Sequence, residues 1–160
     1  MTGSEAADLP DDGALKTPDR LRRRASQLLS QLTVRSDRLI SEGLTRVGTR
    51  KWHYAVLASL QDLGPGSQAL LSRRTGIYRS DMVGVLNELA ERGFVERAPD
   101  PADRRRNIIT ISARGRRQLR LLDDVLDGLH DELLAPLTPA EREQFTRLLT
   151  CLLDHHTRTA

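Results

Sequence analysis

A mainly α-helical chain with one small β-hairpin is the fold class the sequence predicts, on three observations. Aromatic residues make up only 3% of the 160, so the core must come from Leu, Val, Ile and Ala, a composition suited to helix packing rather than to a sheet sandwich. Leucines recur at three- and four-residue steps towards both ends of the chain, the period of one helix face. Between them, two short helical patterns separated by Thr75-Gly76 precede two strand-like runs joined by an arginine-rich loop. Helix, turn, helix and hairpin in that order predict a winged helix-turn-helix, with further helices before and after it that serve dimerisation.

Residues 1–16 are polar and acidic without a period, and read as a disordered tail. Thr17-Pro18 reads as an N-cap followed by proline at the first helical position, with Asp19 favourable in the first turn. The helix so opened is expected to reach about Gly43. Leu21, Ala25, Leu28, Leu32 and Leu39 mark its apolar face, and Arg35 occupies the position that continues the series. A second helix is expected from Thr49 or Arg50 to about Leu63, with Trp52, Val56, Ser59, Leu60 and Leu63 on one side and Tyr54 and Leu57 on another. A helix apolar on two sides lies between layers. Gly64-Pro65-Gly66 ends it.

Ser67 should cap a short helix through Arg74, ended by Gly76 in a left-handed conformation. The next helix covers Arg79 to Arg92, with Met82, Val83, Val85, Leu86 and Leu89 inward. Phe94 to Ala98 and Asn107 to Ile111 are the strands of the wing. Ser112 caps a helix to about Ala135 bearing Leu119, Leu122, Leu126, Leu129 and Leu133, a coiled-coil-like seam. Thr138-Pro139-Ala140-Glu141 forms a capping box for a last helix with Phe145, Leu148, Leu149, Leu152 and Leu153, to about His156. The expected organisation is therefore a tail over 1–16, an N-terminal dimerisation helix over 17–48, the winged helix-turn-helix over 49–112 and C-terminal dimerisation helices over 113–160. The seams at both ends exceed what a small winged helix covers alone. A homodimer accounts for them, and a private intramolecular bundle is the alternative.

The net charge of +3 hides an uneven distribution. Ser67 to Arg120 carries 12 arginines against 6 acids, leaving 13 basic and 16 acidic residues elsewhere. Such a basic segment is the footprint of a polyanion, because neutralised phosphates release condensed counterions. A single cysteine excludes an intramolecular disulfide and a Cys-rich zinc site. Adjacent histidines, His155 and His156, diverge on a helix and do not suggest a metal site. There is no phosphate loop, nucleotide fingerprint or triad, so no enzyme, cofactor or metal is expected. No run is long enough to span a membrane, and the first residues lack a signal-peptide layout. A cytoplasmic protein without a membrane partner is expected.

The run from Asp103 to Gly115, DRRRNIITISARG, resembles the wing signature of the MarR family of transcriptional regulators, with Asp103, Arg105, Ile109, Ile111, Ser112 and Gly115 in phase. Gly76-Ile77-Tyr78-Arg79-Ser80 and the run from Leu89 to Arg97 resemble that family's recognition-helix entry and helix-to-wing junction. The resemblance implies a homodimer that binds a pseudo-palindromic site on double-stranded DNA, commonly as a repressor, and that responds to a small aromatic or phenolic acid. It implies that Arg105 enters the minor groove while Asp103 orients its guanidinium. It also exposes a departure. The peroxide-sensing branch keeps a reactive cysteine near the start of the first long helix, whereas Cys151 sits in an apolar stretch of the last, where it reads as a buried packing residue.

The residues assign themselves to the two grooves. Arg79 is the candidate base reader, since its planar fork matches guanine N7 and O6. Tyr78, Ser80 and Asp81 share that helix entry, and Gly84 one turn later permits close backbone approach. Ser67, Ser72, Arg73 and Arg74 belong to the helix that crosses the phosphate backbone. Arg104 and Arg106 would meet phosphates flanking the wing tip. For the effector, Arg35, Trp52, His53 and Tyr54 could form an aromatic pocket with a carboxylate-binding cation, or be ordinary packing with Arg35 paired to an acid. The competing function is a winged-helix assembly module without sequence-specific DNA binding. The arginine-rich wing and Arg79 argue against it.

Overall fold

The computed structural model describes residues 18–158. The expected tail over 1–16 and the Thr17 cap lie outside the described residues. The chain divides into two units, Met1–Ser36 and Asp37–Ala160.

The described part of the first unit holds α1 (Asp19–Arg22) and the beginning of α2 (Ala25–Arg46). One helix was expected to run unbroken to about Gly43; instead the chain breaks at Arg23-Arg24 and α2 ends three residues later. Arg20, Arg22, Arg23 and Arg24 crowd one turn with Asp19 as the only acid beside them. Like charges at three- and four-residue spacing destabilise a helix. Leu28, Leu29, Leu32 and Val34 remain exposed along α2.

In the second unit, α3 (Lys51–Leu63) packs against α4 (Gln68–Thr75), α5 (Arg79–Glu91), α6 (Ala113–Leu133) and the sheet. Val56, Leu57 and Leu60 are fully buried, on two sides of the helix as anticipated. Trp52 and Leu63 lie at the ends of that pattern and are exposed. Val83 is also exposed rather than inward. Met82, Val85, Leu86 and Leu89 already fill the buried stripe of α5, and Val83 sits about 100° further round.

The sheet is antiparallel in the order β1-β3-β2, with β1 at Gly66–Ser67, β2 at Val95–Pro99 and β3 at Asn107–Ile111. β1 is the unanticipated strand: Gly66 pairs with Ile109 and Ser67 with Ile108. Ser67 ends β1 and caps α4, its Oγ accepting from the Leu70 N–H at 3.3 Å. Gly76 takes the left-handed conformation, φ 72°, that stops α4.

The wing passes into α6 through a tight knot. Ser112 Oγ donates to the Gly93 carbonyl at 2.6 Å and accepts from the Gly115 N–H at 2.9 Å. The Ser112 N–H donates to the Phe94 carbonyl at 3.0 Å. Gly115 is buried there, against Phe94 and Ile111. Leu119, Leu122, Leu126 and Leu129 of α6 are buried within the chain, so this seam is core and not, as the spacing suggested, a surface kept for a partner. α7 (Pro139–Arg158) carries the capping box, with Glu141 Oε2 accepting from the Thr138 N–H at 2.8 Å. No residue of α7 is buried, and Leu148, Leu149, Leu152 and Leu153 are exposed. Cys151 is exposed with them rather than packed, on a helix of which no residue is buried. Among the described residues no helix is long and apolar enough to cross a membrane.

Candidate nucleic-acid interface

Three elements converge on one hollow of the surface. The first is the start of α5. Tyr78 precedes it, 80% exposed and without a capping side-chain bond, and Arg79, Ser80 and Asp81 follow, all exposed. The uncapped N–H groups and the helix dipole make this end attractive to an anion, and Asp81 offsets part of that. The second is the start of α4, tied to α5 where Gln68 Nε2 donates to the Arg79 carbonyl at 3.3 Å.

The third is the wing loop, built by two aspartates. Asp100 Oδ1 accepts from the Ala102 N–H at 2.9 Å, and the Asp100 N–H closes the hairpin on the Arg106 carbonyl at 2.8 Å. Asp103 Oδ1 accepts from the backbone N–H of Arg105 at 3.1 Å and from its Nε at 3.2 Å. One carboxylate oxygen thus shapes the turn and aims the guanidinium. The Arg105 side chain is otherwise 92% exposed. Arg106 reaches Asp100 at 3.3 Å and Asp103 at 3.6 Å, and Arg104 is exposed.

The hollow between α5 and the wing has a volume of about 360 Å³ and is lined by Ser67, Gln68, Ala69, Arg79, Leu86, Arg97, Arg105, Arg106, Asn107 and Ile109. Four arginines and no acid line it among the described residues. Arg97, Gln68 and Asn107 were missed by sequence reasoning. Arg97 had a signal: it stands two residues after the buried Val95 in β2, yet is exposed, and its Nη2 donates to Asn87 Oδ1 on α5 at 2.8 Å. Of the backbone-crossing candidates, Arg73 is exposed. Arg74 instead donates to the carbonyls of Gly64 at 2.9 Å and Leu63 at 3.1 Å, closing the end of α3. Ser72 is 8% exposed and faces inward, which removes it from any surface contact.

Gly84 lies on the outer face of α5, and a Cβ built there meets nothing within 4 Å. Gly84→Ala is therefore expected to stabilise the free protein by roughly 0.5–1 kcal/mol and to weaken binding to duplex DNA, because the added methyl stands where a nucleic-acid backbone would approach. Melting curves and gel shifts on the same preparation check the pair. A variant that melts higher and binds as tightly as the parent would remove Gly84 from the interface.

Of the proposed effector residues, Trp52, His53 and Tyr54 have different surroundings. His53 is 2% exposed, with Nε2 2.7 Å from Glu88 Oε2 on α5 and Nδ1 3.3 Å from Thr49 Oγ1. Burial draws its pKa below 6.5 against the opposing pull of Glu88. Tyr54 faces the other way and donates to Asp123 Oδ1 on α6 at 2.9 Å. Partial burial, then that bond and the carboxylates of Asp123, Asp127 and Asp62, push its phenol up to about 12. Trp52 is 44% exposed. Successive residues of one helix turn about 100° apart, which sends these three side chains to three surroundings. Arg35 belongs to the N-terminal unit. No cluster of three or more metal-ligating side chains occurs among the described residues.

A family model described as the MarR family matches residues 42–106, from the end of α2 through the wing tip. The chain is 29% identical over 101 residues to the HTH-type transcriptional repressor NicR of Pseudomonas putida, a match covering 63% of this chain and 64% of that one, just under two thirds of the relative's length. It is similar to the crystal structure of a probable transcriptional regulator from Pseudomonas aeruginosa, with a TM-score of 0.71 and 31% identity over 83% of this chain and 99% of the other. It shares its fold with wild-type MarR from E. coli in the apo form, with a TM-score of 0.73 and 24% identity over 81% of this chain and 96% of that one.

Proposed function

Because the chain belongs to the MarR family, we propose that it is a sequence-specific DNA-binding transcriptional regulator, acting as a homodimeric repressor on a pseudo-palindromic operator. The observation that carries this reading is the hollow between α5 and the wing, with its four arginines. In this reading α5 lies in the major groove, with Arg79 placed for a guanine edge and Tyr78 and Ser80 for sugar or phosphate. Arg105 extends from the wing towards the adjacent minor groove, where narrow A·T-rich segments concentrate negative potential. Arg73, Arg97, Arg104 and Arg106 neutralise phosphates around it.

Two copies are needed to read a palindrome. Leu28, Leu29 and Leu32 of α2, and Leu148, Leu149, Leu152 and Leu153 of α7, support the homodimer, since all seven are exposed among the described residues. The test begins with duplexes selected from a randomised pool by the wild-type protein, then compares a selected and a scrambled duplex across a salt series. Selective retention with a steep salt slope is expected. Equal retention of both duplexes would favour the assembly module instead.

The release signal in this reading is a small aromatic or phenolic acid. The exposed indole of Trp52, next to Lys51 at the start of α3, supports it: a flat ring can stack on the one and a carboxylate can meet the other. Lys51 already pairs with Asp37 at 2.6 Å, so a carboxylate there would exchange with that acid. A thermal-shift screen of aromatic carboxylates is expected to yield a compound that raises Tm and lowers operator affinity. A screen whose hits leave DNA binding untouched would count against this part of the reading.

A further inference from the structure

We infer that Glu88 is the positioning residue of the reading helix: held by Arg50 and His53 from the start of α3, it fixes the angle at which α5 presents Arg79 to DNA. The inference rests on the DNA-binding reading above. Both carboxylate oxygens of Glu88 accept from Arg50 Nη2, and Oε2 also accepts from His53 Nε2 at 2.7 Å. A carboxylate only accepts, so the proton of the imidazole sits on Nε2, and Nδ1 is left to accept from the Thr49 hydroxyl at 3.3 Å. One turn further, Arg92 Nη1 donates to the Gly48 carbonyl at 2.6 Å. The segment 48–53 therefore grips the C-terminal end of α5 through two side chains one turn apart. At its other end, α5 is tied to α4 by the bond from Gln68 Nε2 to the Arg79 carbonyl.

The arrangement is poorly suited to stabilising the fold and well suited to holding an angle. Arg50 and Glu88 are 53% and 43% exposed, and ion pairs this open contribute little to stability. The His53 side chain, by contrast, is only 3% exposed and cannot move without disturbing the core. It is a fixed post against which the carboxylate registers. Arg79 lies nine positions before Glu88, about 13 Å along the helix. A tilt of about 5° pivoted at Glu88 then displaces Arg79 by roughly 1 Å, enough to spoil a bidentate bond to a base edge. Glu88 itself carries negative charge and lies on the α3 side of α5, so it acts through Arg79 and not by contact with DNA.

Glu88→Gln and Arg50→Gln test the inference, with the selected and scrambled duplexes as probes. Each is expected to lower the preference for the selected duplex about tenfold while Tm and the dimer are retained. The salt slope should stay that of the wild type, because no phosphate contact is removed. In the free protein, amides of α5 should exchange faster with solvent while those of α6 do not. The double variant should lose little more than either single one, since both break one link. Wild-type selectivity and wild-type α5 exchange in both variants would overturn the role, and Arg50→Gln decides alone should Glu88→Gln fold poorly. If the wild-type protein selects no duplex at all, the DNA reading falls by itself, and exchange in α5 still decides whether Glu88 holds the helix.

Discussion

Arg105→Ala is expected to reduce affinity for a selected duplex about 10- to 100-fold, or about 1–3 kcal/mol, while the melting curve and the dimer stay unchanged. The separation of effects follows from the surroundings of the side chain. It is 92% exposed, and its guanidinium bonds to Asp103 of the same loop. Removing it therefore leaves no cavity and no unpaired buried group. The salt slope should fall by about 1 if the guanidinium neutralises a single phosphate. Asp103→Asn should produce a smaller loss, because the amide oxygen still accepts from the Arg105 backbone while the charge that aims the guanidinium is gone. Gel shifts at three salt concentrations, beside a calorimetric melt, read all of this. An Arg105→Ala protein that binds like the parent would exclude the wing tip from recognition.

Gly115→Ala should have the opposite profile, with stability lost first. A Cβ at Gly115 would overlap the Phe94 carbonyl oxygen and stand 2.9 Å from Ile111 Cγ1. The carbonyl is backbone and cannot swing aside, and it already accepts from the Ser112 N–H. Overpacking of this kind costs on the order of 3 kcal/mol, a fall in Tm of roughly 6–12 °C for a chain of this size. Gly128→Ala is the control. It sits in the same helix with nothing within 4 Å of the added carbon, and is expected to be neutral or slightly stabilising. Thermal melts of the two variants by circular dichroism suffice, and equal melts would mean that the junction of wing and α6 is softer than its geometry indicates.

Gly115 also illustrates what local sequence can and cannot reveal. Its place in the wing signature was legible, but its reason was not, because the obstructing carbonyl lies 21 residues earlier in the chain. Signals confined to a few neighbours were read well. Ser67, Ser112 and the Thr138–Glu141 box cap the helices they were expected to cap, and Gly76 ends α4. The Asp103–Arg105 pair is likewise two residues apart. Features that depend on distant partners were missed or misread. β1 is two residues long and exists through Ile108 and Ile109. The 3-4 spacing of the α6 leucines describes a seam without saying whose surface fills it, and α3 of the same chain does so. Glu88 had no local mark, since His53 and Arg50 lie 35 and 38 residues away. Trp52, His53 and Tyr54 are neighbours in sequence, but adjacency in a helix separates side chains by about 100° instead of gathering them.

The strand order of the wing bears on solubility as well as on reading. A three-stranded sheet has two open edges, each a template on which another chain could extend it. One edge here is β1, too short at two residues to recruit a partner strand. The other is β2, where Glu96, Arg97, Ala98 and Pro99 are all exposed. Two charges of opposite sign disfavour a copy laid alongside in register, and Pro99 has no N–H to offer it. The exposed edge of the wing is thus a poor seed for β-aggregation.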